Sequence, residues 1–312
     1  MDVVNGLAAF PPQRVPVVLA LGTFDGVHRG HQALLLDAVR RAGASGGRAA
    51  AITFDPHPLT VIAPPPEPFL LTTLDERLRL LAGVGIDLTV VIRFDEAFRQ
   101  TGAAAWMEML ERHVGMRDLV CGVNYTFGRD RGGTVELLQQ WAGPRGIHVH
   151  LTPPVHVGGT LVSSTLIRRL LRSGEVREAA RYLGRWYTLN GRVARGDARG
   201  RRLGFPTANL TPAENQLIPA GGIYAAIAQT ERGRRQAAVS IGTRPTFGPG
   251  AVVVEAYLLD FSGDLYDQPL ALHFIRRLRE EIAFTSEDAL IRQISDDVEE
   301  TRRLLAVPED PA

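Results

Sequence analysis

The sequence predicts an α/β domain built on a parallel sheet, followed by an antiparallel barrel or sandwich that ends in a helix. Three observations carry this. Up to about residue 150, short apolar runs alternate with helical patterns. After about residue 185 the runs are β-prone and separated by Gly, Arg and Asp clusters. The stretch 286–305 regains a helical period. A chain of 312 residues accommodates two domains of ordinary size. We place the boundary so that one spans 1–185 and the other 186–312.

In the first half, VPVVLALG (15–22) reads as a strand and HQALLLDAVRRAGA as the helix after it. RAAAITF (48–54) is the next strand. LTTLDERLRLLAGVG then precedes IDLTVVIRF, AAAWMEMLERHVG precedes DLVCGVNYTF, and TVELLQQWAGPRG precedes IHVHLTPPV. Strand and helix in turn imply a parallel sheet covered on both faces, with ligands at the carboxyl ends of its strands. The helical stretch STLIRRLLRSGEVREAARYLG (164–184) closes this half. RWYTLNGRVARG, GGIYAAIAQT, RQAAVSIG, AVVVEAYLLDF and PLALHFIRRL supply the strands of the second half. SEDALIRQISDDVEETRRLL has a serine cap and acids in its first turn, as a helix start requires. APPPEP (63–68) reads as a stiff loop.

Composition excludes several function classes. Hydrophobic residues make up 45% and charged residues 22%, as in soluble globular proteins, and no apolar run approaches bilayer length. The net charge of +1, without a charged block, gives no electrostatic case for nucleic acid. Cys121 is the only cysteine, so neither an intramolecular disulfide nor a multi-thiolate zinc site can form. The N-terminus does not read as a signal peptide, and the expected address is the cytoplasm. No lysine occurs; all 35 cationic residues are arginine. That removes a Walker-type phosphate loop and the protein-kinase strand lysine. Any ATP chemistry here relies on arginine, histidine, helix N-termini, hydroxyls and a metal ion.

LGTFDGVHRGH (21–31) ends the first strand and opens the first helix. His28 and His31 lack the glutamate and spacing of a zincin helix, and no cysteine stands near to complete a zinc site. The plain alternative leaves His28 in the loop and makes His31 the cap of the helix. A phosphate role gains from Gly22, Gly26 and Gly30, which permit close backbone approach, and from the helix N-terminus behind them. Two imidazoles there could donate hydrogen bonds to a phosphate whose charge rises in the transition state.

GTFDGVHRGH resembles the HxGH signature of the nucleotidyltransferase superfamily in its GxFDGxHxGH form. TFDPHP (53–58), GVNYTFGRDRGG (122–133) and VSSTLIR (162–168) resemble the following elements of bacterial bifunctional riboflavin kinase/FAD synthetases, in the same order. RGRRLGFPTANL (199–210) resembles the flavokinase signature, and LREEIAF (278–284) that family's LRxExxF. The likeness spans essentially the whole chain. It implies a Rossmann-like nucleotidyltransferase domain followed by a riboflavin kinase β-barrel with its C-terminal helix.

The implied reactions are phosphorylation of riboflavin to FMN in the rear domain and adenylylation of FMN to FAD in the front one. Both use ATP and Mg2+. An FMN phosphate is largely dianionic near neutrality, its second pKa being about 6, so no proton need be removed before it attacks the α-phosphorus. The resemblance therefore gives His28 and His31 the role of donors to the triphosphate. Gly22, Phe24, Asp25, Gly26, Gly30, Asn124 and Ser163 become nucleotide contacts, and Ser164, Thr165 and Arg168 phosphate ligands. Pro56, His57 and Pro58 line the flavin. Capping is the alternative for the hydroxyls and a turn for Asn124 and the prolines. Relatives usually carry a basic residue where Leu161 stands, so Arg129 or Arg131 could supply that charge instead.

Riboflavin's alcohol is neutral and needs a base, for which the resemblance points to Glu255. We expect the barrel half to hold that carboxylate pointing inward. Thr207 and Asn209 offer oxygens to Mg2+, while Gly204 and Pro206 approach the nucleotide. Arg279, Glu281 and Phe284 lie near the flavin, and GDARGRRLG (196–204) forms a flap over the phosphates or an ordinary surface loop. The partners expected are these small molecules, with no nucleic acid and no membrane, for a monomer or weak homo-oligomer. Retention of riboflavin kinase activity alone, or a non-catalytic flavin-binding regulator, are the competing functions.

Overall fold

The computed structural model describes residues 1–195, 199–243 and 252–306. It divides into two compact units, one of Met1–Pro66 with Leu74–Ser163, the other of Glu67–Thr73 with the chain from Ser164 onward.

The first unit is a six-stranded parallel sheet. Its strands are β1 (Asp2–Asn5), β2 (Val17–Leu21), β3 (Arg48–Asp55), β4 (Leu88–Arg93), β5 (Asp118–Gly122) and β6 (His148–Thr152), in the order β1-β4-β3-β2-β5-β6. Helices α1 (Arg29–Ala44), α2 (Pro58–Ile62), α3 (Leu74–Val84), α4 (Glu96–Arg99), α5 (Ala103–Val114) and α6 (Val135–Ala142) connect them. A small hairpin, β7 (His156–Val157) with β8 (Thr160–Leu161), follows.

The β2 sequence explains its central place. All five residues are buried. Val17, Leu19 and Leu21 pack with Trp106, Leu110 and Leu119, while Val18 and Ala20 face Leu35, Ala38 and Leu81 on the other side. A strand apolar on both faces is stable only between two helical layers, and each such Val or Leu contributes about 1.5–3 kcal/mol relative to exposure. The strand order reverses between β2 and β5. Loops after those two strands therefore flank the crevice where open α/β sheets bind ligands. Gly22–His28 is one of these loops, and the turn with Asn124 is the other.

The second unit is a closed barrel, which decides between the two β architectures the sequence left open. Its strands are β9 (Tyr187–Ala194), β10 (Thr207–Pro212), β11 (Gly222–Thr230), β12 (Gly233–Thr243), β13 (Val252–Leu258) and β14 (Pro269–Arg279), closing in the order β10-β13-β12-β11-β14-β9. Helices α7 (Ser164–Arg172) and α8 (Val176–Leu183) precede it, α9 (Arg199–Arg202) lies before β10, and α10 (Glu287–Leu305) ends it. Tyr224, Ala226, Val239, Val254, Ala256, Leu272 and Phe274 are among the side chains buried completely. The Ser286 hydroxyl caps α10 by accepting from the Ala289 N–H at 3.2 Å, with Glu287 and Asp288 in the first turn, as the sequence requires.

Two features differ from the sequence reading. Asp2–Asn5 forms an edge strand parallel to β4, too short to show a period. Helices α7 and α8, read as closing the front half, pack with the barrel: the Ala220 N–H bonds the Leu171 carbonyl at 3.0 Å, and Leu171, Ala179 and Leu183 are buried. Glu67–Thr73 joins the same unit through the Phe69 and Leu70 N–H groups, both 2.9 Å from the Asn215 carbonyl. Of the expected flap, residues 196–198 lie outside the described residues.

Candidate active sites

The turn after β2 is tightly constrained. Phe24, Gly26 and Val27 have φ of 52°, 83° and 37°, and only Gly adopts such angles at little cost. Phe24 is fully buried, and a Cβ on Gly22 would lie 2.9 Å from its ring. Asp25 is also buried. His28 is the N-cap of α1, its Nδ1 accepting from the His31 N–H at 3.2 Å. The two imidazoles stack with centroids 3.6 Å apart, and Phe24 meets His31 edge-on at 5.4 Å. Gly30 makes this possible: a Cβ there would stand 3.2 Å from the His28 ring. Capping and a phosphate role are thus compatible. With Nδ1 accepting, the neutral His28 ring carries its proton on Nε2 and has a donor there.

Val162, buried beside Ser163, has its carbonyl 3.9 Å from that same Gly30 position, so the VSST segment approaches the start of α1. Asn124 sits exposed in a turn closed by the Tyr125 N–H to the Gly122 carbonyl at 3.0 Å. His57 is buried and caps α2, Nδ1 accepting from the Leu59 N–H at 3.2 Å, with Pro58 at the first helical position. Pro56 follows a cis peptide bond. Arg129 and Arg131 are exposed, and Arg131 Nε donates to the Thr126 hydroxyl at 3.1 Å. Leu161 is exposed on β8.

Ser164, Thr165 and Arg168 stand on α7, in the second unit. There Arg168 Nε donates to the Phe69 carbonyl at 2.8 Å, its guanidinium carbon 5.2 Å from the Phe69 ring centroid.

One buried charge beside the histidine turn escaped the sequence reading. Arg77 on α3 is buried at 1% exposure, with Nη1 donating to the Thr53 hydroxyl and the Phe54 carbonyl, both at 2.9 Å. Burial pulls its pKa down, while the charges of Asp25 and Asp55 oppose that shift. A signal existed: Arg77 shares the apolar face of α3 with Leu74 and Leu81, at spacings of three and four.

The barrel brings three expected polar groups, Thr207, Asn209 and Glu255, onto one face. Asn209 pairs with Glu255, Thr207 pairs with Tyr257, and Glu255 is also opposite Ser240 of β12. Directly opposite residues share a face. Val254, Ala256 and Leu258 are buried, whereas Val253, Glu255 and Tyr257 are half-buried. Glu255 therefore lies on the face opposite the barrel's interior, correcting the expectation of an inward carboxylate. The interior holds apolar side chains, where an unpaired charge would be costly. Phe205 meets the Tyr257 ring edge-on at 5.5 Å. Gly204 (φ 87°) and Pro206 are exposed beside it. A Cβ on Gly200 of α9 would lie 3.2 Å from the Thr207 hydroxyl, so α9 runs close over this face.

Arg279 forms a two-pronged pair with Asp297 of α10, at 2.9 and 2.6 Å. The Glu281 carboxylate lies against the α-carbon of Gly242, and Phe284 is half-buried. A cavity of about 350 Å³ borders this region, lined by Arg177, Arg277, Arg279 and Glu280 among others. Among the described residues no cluster of three or more His, Cys, Asp or Glu could hold a metal ion, and no helix is long and apolar enough to cross a membrane.

Comparison with known proteins assigns each half of the chain to a family. The FAD synthetase family matches residues 11–166, and the riboflavin kinase family matches residues 183–305. The bifunctional riboflavin kinase/FMN adenylyltransferase of Listeria monocytogenes is 35% identical over 295 residues, 94% of each chain. That of Pseudomonas fluorescens is 35% identical over 98% of each. A solved structure from Streptococcus pneumoniae, described as a macrolide-efflux protein, aligns with a TM-score of 0.88 at 30% identity, over 97% of this chain and 99% of that one. The parallel sheet with its histidine turn and the closed barrel with its PTAN strand are thus the two halves of one lineage, and the chain belongs to the bifunctional riboflavin kinase/FMN adenylyltransferase family.

Proposed function

We propose that the two steps run at separate sites: riboflavin is phosphorylated to FMN on the β10–β13 face of the barrel, and FMN is adenylylated to FAD at the histidine turn. ATP is co-substrate in both, and pyrophosphate leaves in the second. The stacked His28–His31 pair at the switch point of the sheet supports this reading most directly.

In the adenylyl step the attacking phosphate oxygen already carries charge. The residues need to align two anions and stabilise the charge that builds on the α-phosphate. His28 Nε2–H and His31 serve as donors, assisted by the N–H groups opening α1. No general base is required. Gly22, Phe24, Asp25, Gly26, Gly30, Asn124 and Ser163 shape the nucleotide site, with Pro56, His57 and Pro58 beside the flavin. Ser164, Thr165 and Arg168 bind the leaving pyrophosphate, and the functional modules divide at 185/186.

In the kinase step a neutral alcohol attacks the γ-phosphorus, and the Glu255 carboxylate takes its proton. Thr207 and Asn209, alternate residues on one face of β10, fit a magnesium ion, which favours hard oxygens and takes most of its ligands from water and phosphate. Bound there, the ion would neutralise phosphate charge. Gly204 and Pro206 border the nucleotide, and Arg279, Glu281 and Phe284 hold the flavin end. The enzyme acts in the cytoplasm on diffusible substrates, as a monomer or weak homo-oligomer.

Chromatography of the flavins formed from riboflavin, ATP and magnesium tests this. FMN followed by FAD is the expected result. FMN alone would mean that the adenylyl site is silent, Leu161 being the departure to examine first. Unchanged riboflavin would refute an enzymatic role.

A further inference from the structure

A guanidinium buried at the carboxyl edge of a sheet is a costly device for satisfying carbonyls, since a neutral donor would do so without desolvating a charge. Arg77 reaches from α3 to the ends of both β2 and β3. Its Nη1 donates to the Thr53 hydroxyl and the Phe54 carbonyl at 2.9 Å, with the Thr23 carbonyl at 3.4 Å. The Thr53 hydroxyl in turn donates to the Thr23 carbonyl at 2.7 Å. Thr23 begins the turn whose next residue, Phe24, has a left-handed backbone and sets its buried ring edge-on to His31. His31 stacks on His28. A continuous line of contacts thus runs from Arg77 through Thr53 and Thr23 to the imidazole pair. The Arg77 Nε has no hydrogen-bond partner among the described residues.

We propose that Arg77 is a positioning residue for adenylyl transfer: clamped across the ends of β2 and β3, it holds the Thr23–Val27 turn so that both imidazoles face the triphosphate. This rests on the reading that FAD forms at the histidine turn. Left-handed residues in such a turn persist only where their surroundings determine them, and small displacements of aligned groups reduce turnover strongly. The effect therefore falls on kcat of the FAD step. Lysine keeps the charge but not the planar fork, so it restores only part of the function.

The test uses the full chain. Arg77→Met, Arg77→Lys and Thr53→Val are assayed for kcat and ATP KM in both steps, with folding followed by thermal melting. Wild-type protein supplied with FMN serves as reference; if it made no FAD, the reading beneath would fail, and this inference with it. Given wild-type FAD synthesis, Arg77→Met is expected to lower kcat of that step by about 10- to 100-fold. ATP KM and the kinase step should stay within about twofold, and Arg77→Lys should lie between Arg77→Met and wild type. Should Arg77→Met not fold, Thr53→Val, which cuts the same line, is expected to lower kcat by about threefold or more. A lower melting temperature with normal kcat per folded molecule would overturn the inference. So would an equal loss in both steps, or a folded Thr53→Val with wild-type FAD synthesis.

Discussion

At the scale of single residues, the glycines of GTFDGVHRGH act through what they leave empty. Gly30 leaves the space occupied by the His28 ring, 3.2 Å from where a Cβ would stand. Gly30→Ala should turn that ring and lower FAD synthesis by about tenfold or more, with FMN formation unchanged; separate assays of the two steps check this. Cys121 makes a second, unrelated prediction. Burial pushes its thiol from 9.0 up to about 11. The folded state then holds its proton where the unfolded chain has lost it, so stability is intact below pH 9 and falls as pH rises toward 11. The stability difference between wild type and Cys121→Ala in denaturant melts should be constant below pH 9 and change as pH rises toward 11. The residues of the histidine turn were legible because one short stretch contains them all. The partners of Arg279 and Arg77 were not, because Asp297 lies 18 residues on and Thr53 lies 24 back, in other elements.

At the scale of elements, α10 depends on the barrel for its seat. Asp297 accepts both prongs of Arg279 and a further bond from Gln293 at 3.2 Å. Asp297→Ala would leave a half-buried guanidinium without its acceptor and should cost about 2 kcal/mol, seen as a lower melting temperature. If Arg279 also touches the flavin, riboflavin KM will rise in the same variant. Periodicity revealed the long strands and helices, since β2, α1 and the barrel strands each repeat their apolar residues several times. It could not reveal β1, with four residues, nor the pairing of Phe69 and Leu70 with Asn215. Nor could it orient Glu255: alternation groups Val253, Glu255 and Tyr257 on one face, but only the closed barrel shows that this face is the outer one.

For the whole molecule, the proposed function divides two phosphoryl chemistries between two sites according to the charge of the nucleophile. Imidazoles and helix N–H groups suit an anion that needs no base, and a carboxylate suits an alcohol that does. The absence of lysine, plain in the sequence, removes the Walker-type loop and the protein-kinase strand lysine from the ATP-binding possibilities. The most direct test crosses His28→Ala and Asn209→Ala, each in the full chain, with flavins separated after incubation with ATP, magnesium and either riboflavin or FMN. His28→Ala should accumulate FMN and form at least about 100-fold less FAD. Asn209→Ala should fail to phosphorylate riboflavin yet convert supplied FMN to FAD at the wild-type rate. Loss of both steps in either variant, with the protein folded, would contradict the division.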